Sequence, residues 1–283
     1  MKCFHHIDDD GKCAGYWVNY YTKDKKEERE FIAIDYGIRF PIEKILPDEE
    51  VYIVDFSLDP KDMNQLLEIT KNVIWIDHHK TAIEKYKDYP FDIKGIRYDG
   101  IAGCMLTWLY FQGVMPPCKN KIEEAPTFTR LIADYDVWTF YYGDRTKYFH
   151  IGLGALELTP FSKEWDLMRE DGLVVNQIIT TGMEIEKYKD NCAKTYCNVL
   201  GFETEFEGYH AYALNKGLCG SDDFKSVDGF KYDLFIGFVY DGSQWKYSLR
   251  SEKIDVSEIA KKYGGGGHKG AAGFKSDSLL LTR

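Results

Sequence analysis

A cationic excess is missing from this chain. Its 283 residues carry 36 Lys and Arg against 46 Asp and Glu, a formal net charge of −10. A protein that grips long duplex nucleic acid does so through many Lys and Arg contacts to phosphate, so long-duplex binding is not expected. A small phosphorylated ligand is still allowed, because bound metal ions can supply local positive charge. Paired cysteine spacing is missing as well. The seven Cys, at 3, 13, 104, 118, 192, 197 and 219, are odd in number and contain no C-x-x-C pair. That pattern fits reduced thiols acting as small buried hydrophobes better than a disulfide framework. No run of about 18 apolar residues occurs, so no membrane span is expected. The opening Met-Lys-Cys-Phe-His-His-Ile-Asp does not read as a secretory signal. Internal repeats and low-complexity tracts are absent too, and a cytoplasmic location is the expectation.

What is present is globular. Apolar residues make up 44% and charged residues 29% of the chain, enough of the first to bury a core and of the second to solvate a surface. Short apolar runs at Lys2–His6, Phe31–Ile34, Val51–Val54 and Val73–Ile76 read as strands. Between the last two lies a helix, with Asp59 as N-cap, Pro60 in the first turn, and Met63, Leu66, Leu67 and Thr70 at helical spacing. A helix is also expected over Lys12–Tyr21. Alternating strands and helices predict a parallel sheet with helices on its faces. Further helices are expected over Ile101–Phe111 and Ala125–Ala133, and a long one over Leu173–Leu200. After Gly201 come short β-type runs, Phe202–Phe206, His210–Leu214, Leu234–Tyr240 and Trp245–Arg250, then a short helix from Val256 to Tyr263. The fold class is therefore α/β: a parallel-sheet domain over 1–185, a connector helix over 186–200, and a smaller mixed α/β domain over 201–283.

Three segments share one pattern, an apolar strand followed by acid: His6-Ile7-Asp8-Asp9-Asp10, Val54-Asp55 and Ile76-Asp77-His78-His79. In a parallel sheet those strand ends share one edge, where open α/β sheets bind ligands. Asp134 and Asp136 end an apolar helix. So many carboxylates cannot converge as anions without cations between them. Mixed carboxylate and imidazole donors favour a transition metal such as manganese. The number of donors suits two ions, the arrangement used for phosphoryl transfer to water. A second signal is Gly264-Gly265-Gly266-Gly267-His268-Lys269-Gly270-Ala271-Ala272-Gly273. Its glycines would let a phosphate approach backbone amides, with His268 and Lys269 as further donors.

Together, His6-x-Asp8-x-Asp10-Gly11, Asp55, Asp77-His78-His79 and Asp134 resemble the four motifs of the DHH phosphoesterases. Gly265-Gly266-Gly267-His268-x-x-Ala271-Ala272-Gly273 resembles the signature of the associated C-terminal domain in the nanoRNase and RecJ-type branches. The compact size is most similar to stand-alone nanoRNase-type members. The resemblance implies a metal ligand set of His6, Asp8, Asp10, Asp55, Asp77, His78 and Asp134. Asp55 would bridge two Mn²⁺ ions, for which Co²⁺ or Mg²⁺ could substitute. It implies that His79 faces the scissile phosphate and that Asp77 serves as ligand or as the carboxylate orienting a His. Arg250, Gly265, Gly266, Gly267 and His268 would bind substrate, with Lys269 as an added donor. In several branches the first His lies farther from the Asp pair, so His5 stands beside His6 as a candidate. The fourth motif reads Asp134-Tyr135-Asp136 without the Thr-Gly of other members, so Asp136 stands beside Asp134.

The expected function is that of a metal-dependent phosphodiesterase and exonuclease, hydrolysing short oligonucleotides by two-metal activation of water. Alternatives are a cyclic (di)nucleotide phosphodiesterase or a 3′-phosphoadenosine 5′-phosphate phosphatase. A non-catalytic nucleotide sensor is the minor alternative, since every expected ligand is present. Expected partners are the short nucleotide substrate and, as an option left open, a second copy of the chain.

Overall fold

The computed structural model describes residues 1–282 and divides into two compact units, Met1–Met183 and Glu184–Arg283. The first unit contains β1 (Lys2–His6), α1 (Asp9–Thr22), β2 (Glu30–Ile34), β3 (Val51–Val54), α2 (Pro60–Ile69), β4 (Val73–Ile76), α3 (Lys80–Lys85), α4 (Gly103–Phe111), α5 (Lys119–Glu124), α6 (Thr127–Asp136), α7 (Asp144–Leu153) and α8 (Lys163–Glu170). One long helix, α9 (Gly172–Leu200), runs through the division between the units.

The four strands form an all-parallel sheet in the order β2-β1-β3-β4. Their side chains alternate between two cores. Cys3, Tyr52, Val54, Ile74 and Ile76 join one core with Trp17 and Val18 of α1, Leu106 of α4 and Leu131 of α6. Phe4, Val51, Ile53, Val73 and Trp75 join the other with Met63, Leu66 and Leu67 of α2. Both faces are covered, which is why β3 and β4 read as unbroken apolar runs and not as alternating ones. Burying each Leu or Met of α2 contributes about 1.5–3 kcal/mol.

Helix α1 begins at Asp9, earlier than the apolar spacing from Lys12 suggested. Asp8 is its N-cap and accepts the Gly11 amide at 2.9 Å. Asp9 and Asp10 occupy the first turn, where the helix dipole favours carboxylates. The acidic cluster is thus the helix start and not a loop before it.

The second unit holds β5 (Gly201–Phe206), β6 (Tyr209–Asn215), β7 (Leu234–Tyr240), β8 (Trp245–Arg250), α10 (Val256–Lys262), β9 (Gly266–His268) and β10 (Ala271–Ser276). They make a mixed sheet ordered β5-β6-β7-β8-β10-β9, with β6 and β7 parallel and the other neighbours antiparallel. Val256, Ile259 and Ala260 of α10 pack on it with Phe206, Ile236, Leu249 and Phe274. The glycine run is a structured edge here and not a linker. Gly267 sits at φ +145°, and a Cβ there would lie 2.5 Å from Ala272 Cα.

Close packing also fixes the junction that carries Asp55. That residue directly follows β3 and lies in the left-handed region, at φ +52°. A Cβ on Gly103, the first residue of α4, would stand 2.5 Å from the Asp55 Cβ and 2.9 Å from its Cα. Gly103→Ala is therefore expected to destabilise the fold by about 1–3 kcal/mol through overpacking. Urea titration should show a lower midpoint at an unchanged slope.

Candidate metal centre and anion-binding edge

The chain runs from β1 outward to β2, then returns past β1 to β3, so the sheet order reverses between β1 and β3. Such reversals open a crevice at the carboxyl ends of the strands. Strand register does the rest. His5 pairs with Val54 and Val54 with Ile76, so the residues that follow, His6, Asp55 and Asp77, arrive side by side.

His6 Nδ1 lies 2.6 Å from Asp8 Oδ2 and 3.8 Å from Asp55 Oδ2. The other Asp55 oxygen, Oδ1, is 3.2 Å from His78 Nε2. His78 Nε2 is also 3.3 Å from Asp136 Oδ2 and 3.9 Å from Asp10 Oδ2. Donor atoms thus gather in overlapping groups: His6, Asp8 and Asp55; Asp10, His78 and Asp136; and Asp55, Asp77, His78 and His79. Asp10 is aimed by the N-terminus of α4, whose Gly103 and Cys104 amides donate to its two oxygens at 2.7 and 3.0 Å.

Asp77 is fully buried and sits behind the imidazoles. Its carboxylate accepts from the Ser57 hydroxyl, from the His78 amide at 2.8 Å, and pairs with His79 Nδ1 at 2.7 Å. Backbone bonds hold it too: its amide donates to Ile96 O at 3.0 Å, and its carbonyl accepts from the Tyr98 amide at 3.1 Å.

The electrostatics mark the same spot. Burial pushes the Asp55 carboxyl well above its usual range, and the Asp10 and Asp8 carboxylates push it further. Asp136 is pushed up to about 8, by burial and then by Asp10 and Asp8. Asp77 goes the other way: burial alone would raise it, but His79 and Ser57 bring it below the ordinary value. His6 is raised by its bond to Asp8, and His79 by its bond to Asp77. Asp55 Oδ1 and Asp136 Oδ2 are buried without a hydrogen-bond partner among the described residues. Orphaned buried oxygens facing an imidazole nitrogen are what a divalent transition cation would satisfy, and mixed oxygen and nitrogen donors suit one. The residues fit such an ion.

Two sequence-predicted residues lie elsewhere. Asp134 is corrected: it is not in the cluster. Its oxygens accept from Thr139 Oγ1 at 2.5 Å, the Tyr141 amide at 2.7 Å, the Tyr142 amide at 3.1 Å and the Thr146 hydroxyl. Two residues along a helix turn the side chain by about 200°, so Asp134 and Asp136 cannot face the same site. His5 is buried, with its ring bonded to the His6 carbonyl at 2.8 Å, because adjacent strand residues face opposite sides. Sequence reasoning missed Asp35, 3.4 Å from His6 Nε2, although it too follows an apolar strand. It also missed Ser57.

In the second unit, Arg250 of β8 pairs with Ala271 of β10, and Ala271 with His268 of β9. Arg250 and His268 therefore share a row across the sheet. Arg250 Nη1 donates to Leu249 O at 2.8 Å and Nη2 to Cys219 O at 3.5 Å, which leaves three of its five N–H donors available. A cavity of about 700 Å³ lies beside it, lined also by Lys225, Phe230, Tyr232 and Gly270. Gly265 is partly buried; Gly266, Gly267, His268 and Lys269 are exposed, and the Lys269 carbonyl accepts from the Val256 amide at 2.9 Å.

Among known proteins, the DHHA1 domain profile matches residues 222–281. Protein R106 of Acanthamoeba polyphaga mimivirus is 27% identical over 245 residues, 80% of this chain and 53% of that protein. Oligoribonuclease NrnB of Bacillus subtilis strain 168 is 25% identical over 250 residues, 80% of this chain and 59% of that protein. The chain thus spans a little over half the length of these curated relatives. The solved structure of PggH, a pGpG-specific phosphodiesterase from Vibrio cholerae, aligns over 98% of this chain and 93% of its own, with 12% identity and a TM-score of 0.47. No helix among the described residues is long and apolar enough to cross a membrane.

The raised carboxyls set a pH dependence. In the metal-free protein the folded state holds protons on Asp55 and Asp136 that the unfolded state releases near the ordinary carboxylate range. Stability of the metal-free fold should therefore fall as pH rises from about 4 toward about 8. A cation must displace those protons, so each proton released should strengthen apparent binding about 100-fold between about pH 6 and about pH 8. Thermal melts in chelator and in excess Mn²⁺ should show a metal-induced stabilisation that grows across this range; one that shrank would contradict the assigned site.

Proposed function

We propose, on the kinship with DHH phosphoesterases that the DHHA1 domain match and the oligoribonuclease relative support, that the chain is a metal-dependent phosphodiesterase hydrolysing short oligonucleotides. The observation that carries this reading is the pair of unpartnered buried oxygens, on Asp55 and Asp136, among converging carboxylates and imidazoles. His6, Asp8 and Asp55 would hold one ion, and Asp10, His78 and Asp136, with Asp55 between, a second. Mn²⁺ is the first choice for this donor set, with Co²⁺ or Mg²⁺ as substitutes. Bound there, two such ions would supply a lowered water pKa and neutralising charge for the phosphorus oxygens.

The protein's own groups do the positioning. Asp77 ties His79 through Nδ1, so Nε2 faces outward and can donate to a phosphate oxygen. The raised His79 pKa keeps that proton in place to higher pH. Asp55 is the hinge of the ligand set because its two oxygens point to different groups. In the C-terminal unit, Arg250, Gly265 to Gly267, His268 and Lys269 would bind a substrate phosphate, the guanidinium in bidentate fashion. The net charge of −10 supports a short substrate, because it disfavours a long polyanion. NrnB, by its name an oligoribonuclease, supports the same class.

The test is an Mn²⁺ activity panel over linear dinucleotides, longer oligomers, cyclic dinucleotides and 3′-phosphoadenosine 5′-phosphate. Dinucleotides should be cleaved fastest, and the proposal fails if all remain intact. Asp55→Asn, which tolerates the left-handed backbone, should abolish turnover in a folded protein. Asp136→Asn should do the same. Asp134→Asn should instead lower the melting temperature, consistent with about 1–3 kcal/mol from broken buried hydrogen bonds, and reduce turnover without abolishing it. Arg250→Ala should raise KM about 10- to 150-fold at nearly constant kcat, the mark of lost uniform binding.

A further inference from the structure

The segment that leaves the acid cluster presents aromatic rings that the chemistry above does not use. Trp138 follows Asp136 by two residues and is 67% exposed. It holds φ +56°, and Phe140 holds φ +48°. Bulky residues in this region are strained, and strain of that kind persists only where the surroundings impose it. Here the surroundings are the Asp134 carboxylate, which gathers Thr139, Tyr141, Tyr142 and Thr146 around itself. The Trp138 amide also donates to the Tyr135 carbonyl at 3.0 Å. The Trp138 ring is braced by T-shaped contacts with Tyr135, at 5.2 Å, and Phe140, at 4.7 Å. Tyr135 in turn stacks on His150 at 3.6 Å, with 9° between the planes.

These rings border the acids directly. A cleft of about 280 Å³ has Asp8, Asp10 and Asp136 in its lining together with Tyr135, Trp138 and His150. A rigid aromatic surface beside a phosphate-directed acid cluster suits one kind of group: a flat, neutral ring carried on a phosphorylated sugar. We propose that Trp138, braced by Tyr135 and Phe140, is the platform on which a nucleobase of the substrate stacks while its phosphate lies at the acid cluster. The proposal rests on the nucleotide reading of the preceding section. It adds that the N-terminal unit itself selects nucleotides over base-free phosphates. Stacking tolerates any base, so the selection is for having a base and not for which one. It also gives Asp134 a role: positioning the platform.

Titration calorimetry of the full chain in Mn²⁺ with AMP, GMP and ribose 5-phosphate tests this without requiring turnover. The unmodified protein should bind the nucleotides about 5- to 150-fold more tightly than ribose 5-phosphate. Trp138→Asn removes the ring but accepts the left-handed backbone, so the fold should be kept. That variant should lose the preference while binding ribose 5-phosphate as before, and Trp138→Phe should retain most of it. A preference unchanged in Trp138→Asn, or ribose 5-phosphate binding weakened as much as nucleotide binding, overturns the platform. A failure to cleave any dinucleotide would instead overturn the hydrolase reading, and the calorimetric preference would still decide the platform on its own.

Discussion

Mutual repulsion of carboxylates at the carboxyl ends of β1 and β3 is the constraint around which the N-terminal unit is organised. Asp8, Asp10, Asp55 and Asp136 stand within reach of His6 and His78 in a crevice whose floor, Asp10 and Asp55, is buried and whose rim, Asp8, is exposed. At an ordinary surface such acids would turn to water. Here each is fixed by something else: Asp8 by the Gly11 amide it caps, Asp10 by the start of α4, Asp55 by the register of β3 against β4. The carboxyl that burial leaves without compensation shows the strain as a raised proton affinity. An arrangement that opposes its own charge state is poor as a stabilising device, so the scaffold must supply the stability that the crevice withholds.

That supply comes from the sheet being buried on both faces. Alternate residues of β1, β3 and β4 enter separate cores, and only the strand ends are left for polar groups. Packing on both sides is also what makes the geometry sharp. Gly103 touches Asp55 so closely that no side chain fits, and Trp75 donates its indole to Phe56 O at 3.1 Å, just beyond Asp55. A slip of one residue in the register of β3 would turn its whole buried set to the other face, so the position of Asp55 is specified by the same contacts that hold the fold.

Much of this was legible in the sequence, for identifiable reasons. Buried strands announce themselves as short apolar runs, and an acid at the end of such a run breaks the pattern visibly. That grammar points to Asp8, Asp10, Asp55, Asp77 and His78. It passed over Asp35, because β2 is a partly exposed edge strand and its apolar run is weaker. It preferred Asp134 to Asp136, because two acids on one helix end look equivalent in one dimension. What separates them is a set of donors, Thr139, Tyr141, Tyr142 and Thr146, that only the turn after α6 brings together. The glycine run was visible as a signal, but its form as an edge strand was not. Glycine carries no periodicity, and pairing with β10 is a tertiary fact. Helices α3, α5, α7 and α8 were missed because their apolar residues are few or interrupted.

The two acids of the fourth motif show how one local sequence divides its labour. On a helix, residues two apart diverge, so one carboxylate must face the crevice and the other must find partners elsewhere. Asp136, facing in, lacks a hydrogen-bond partner for one buried oxygen and holds its proton up to about 8. Asp134, facing away, has its oxygens satisfied and is drawn below the ordinary range, since its hydrogen bonds outweigh the burial that would raise it. The pair is thus an unsatisfied acid next to a satisfied one. The satisfied member rigidifies the very turn from which the unsatisfied one projects. A site that must hold like charges together needs such neighbours, because a flexible turn would let the carboxylates separate and the crevice would lose the density of charge that makes it a cation site.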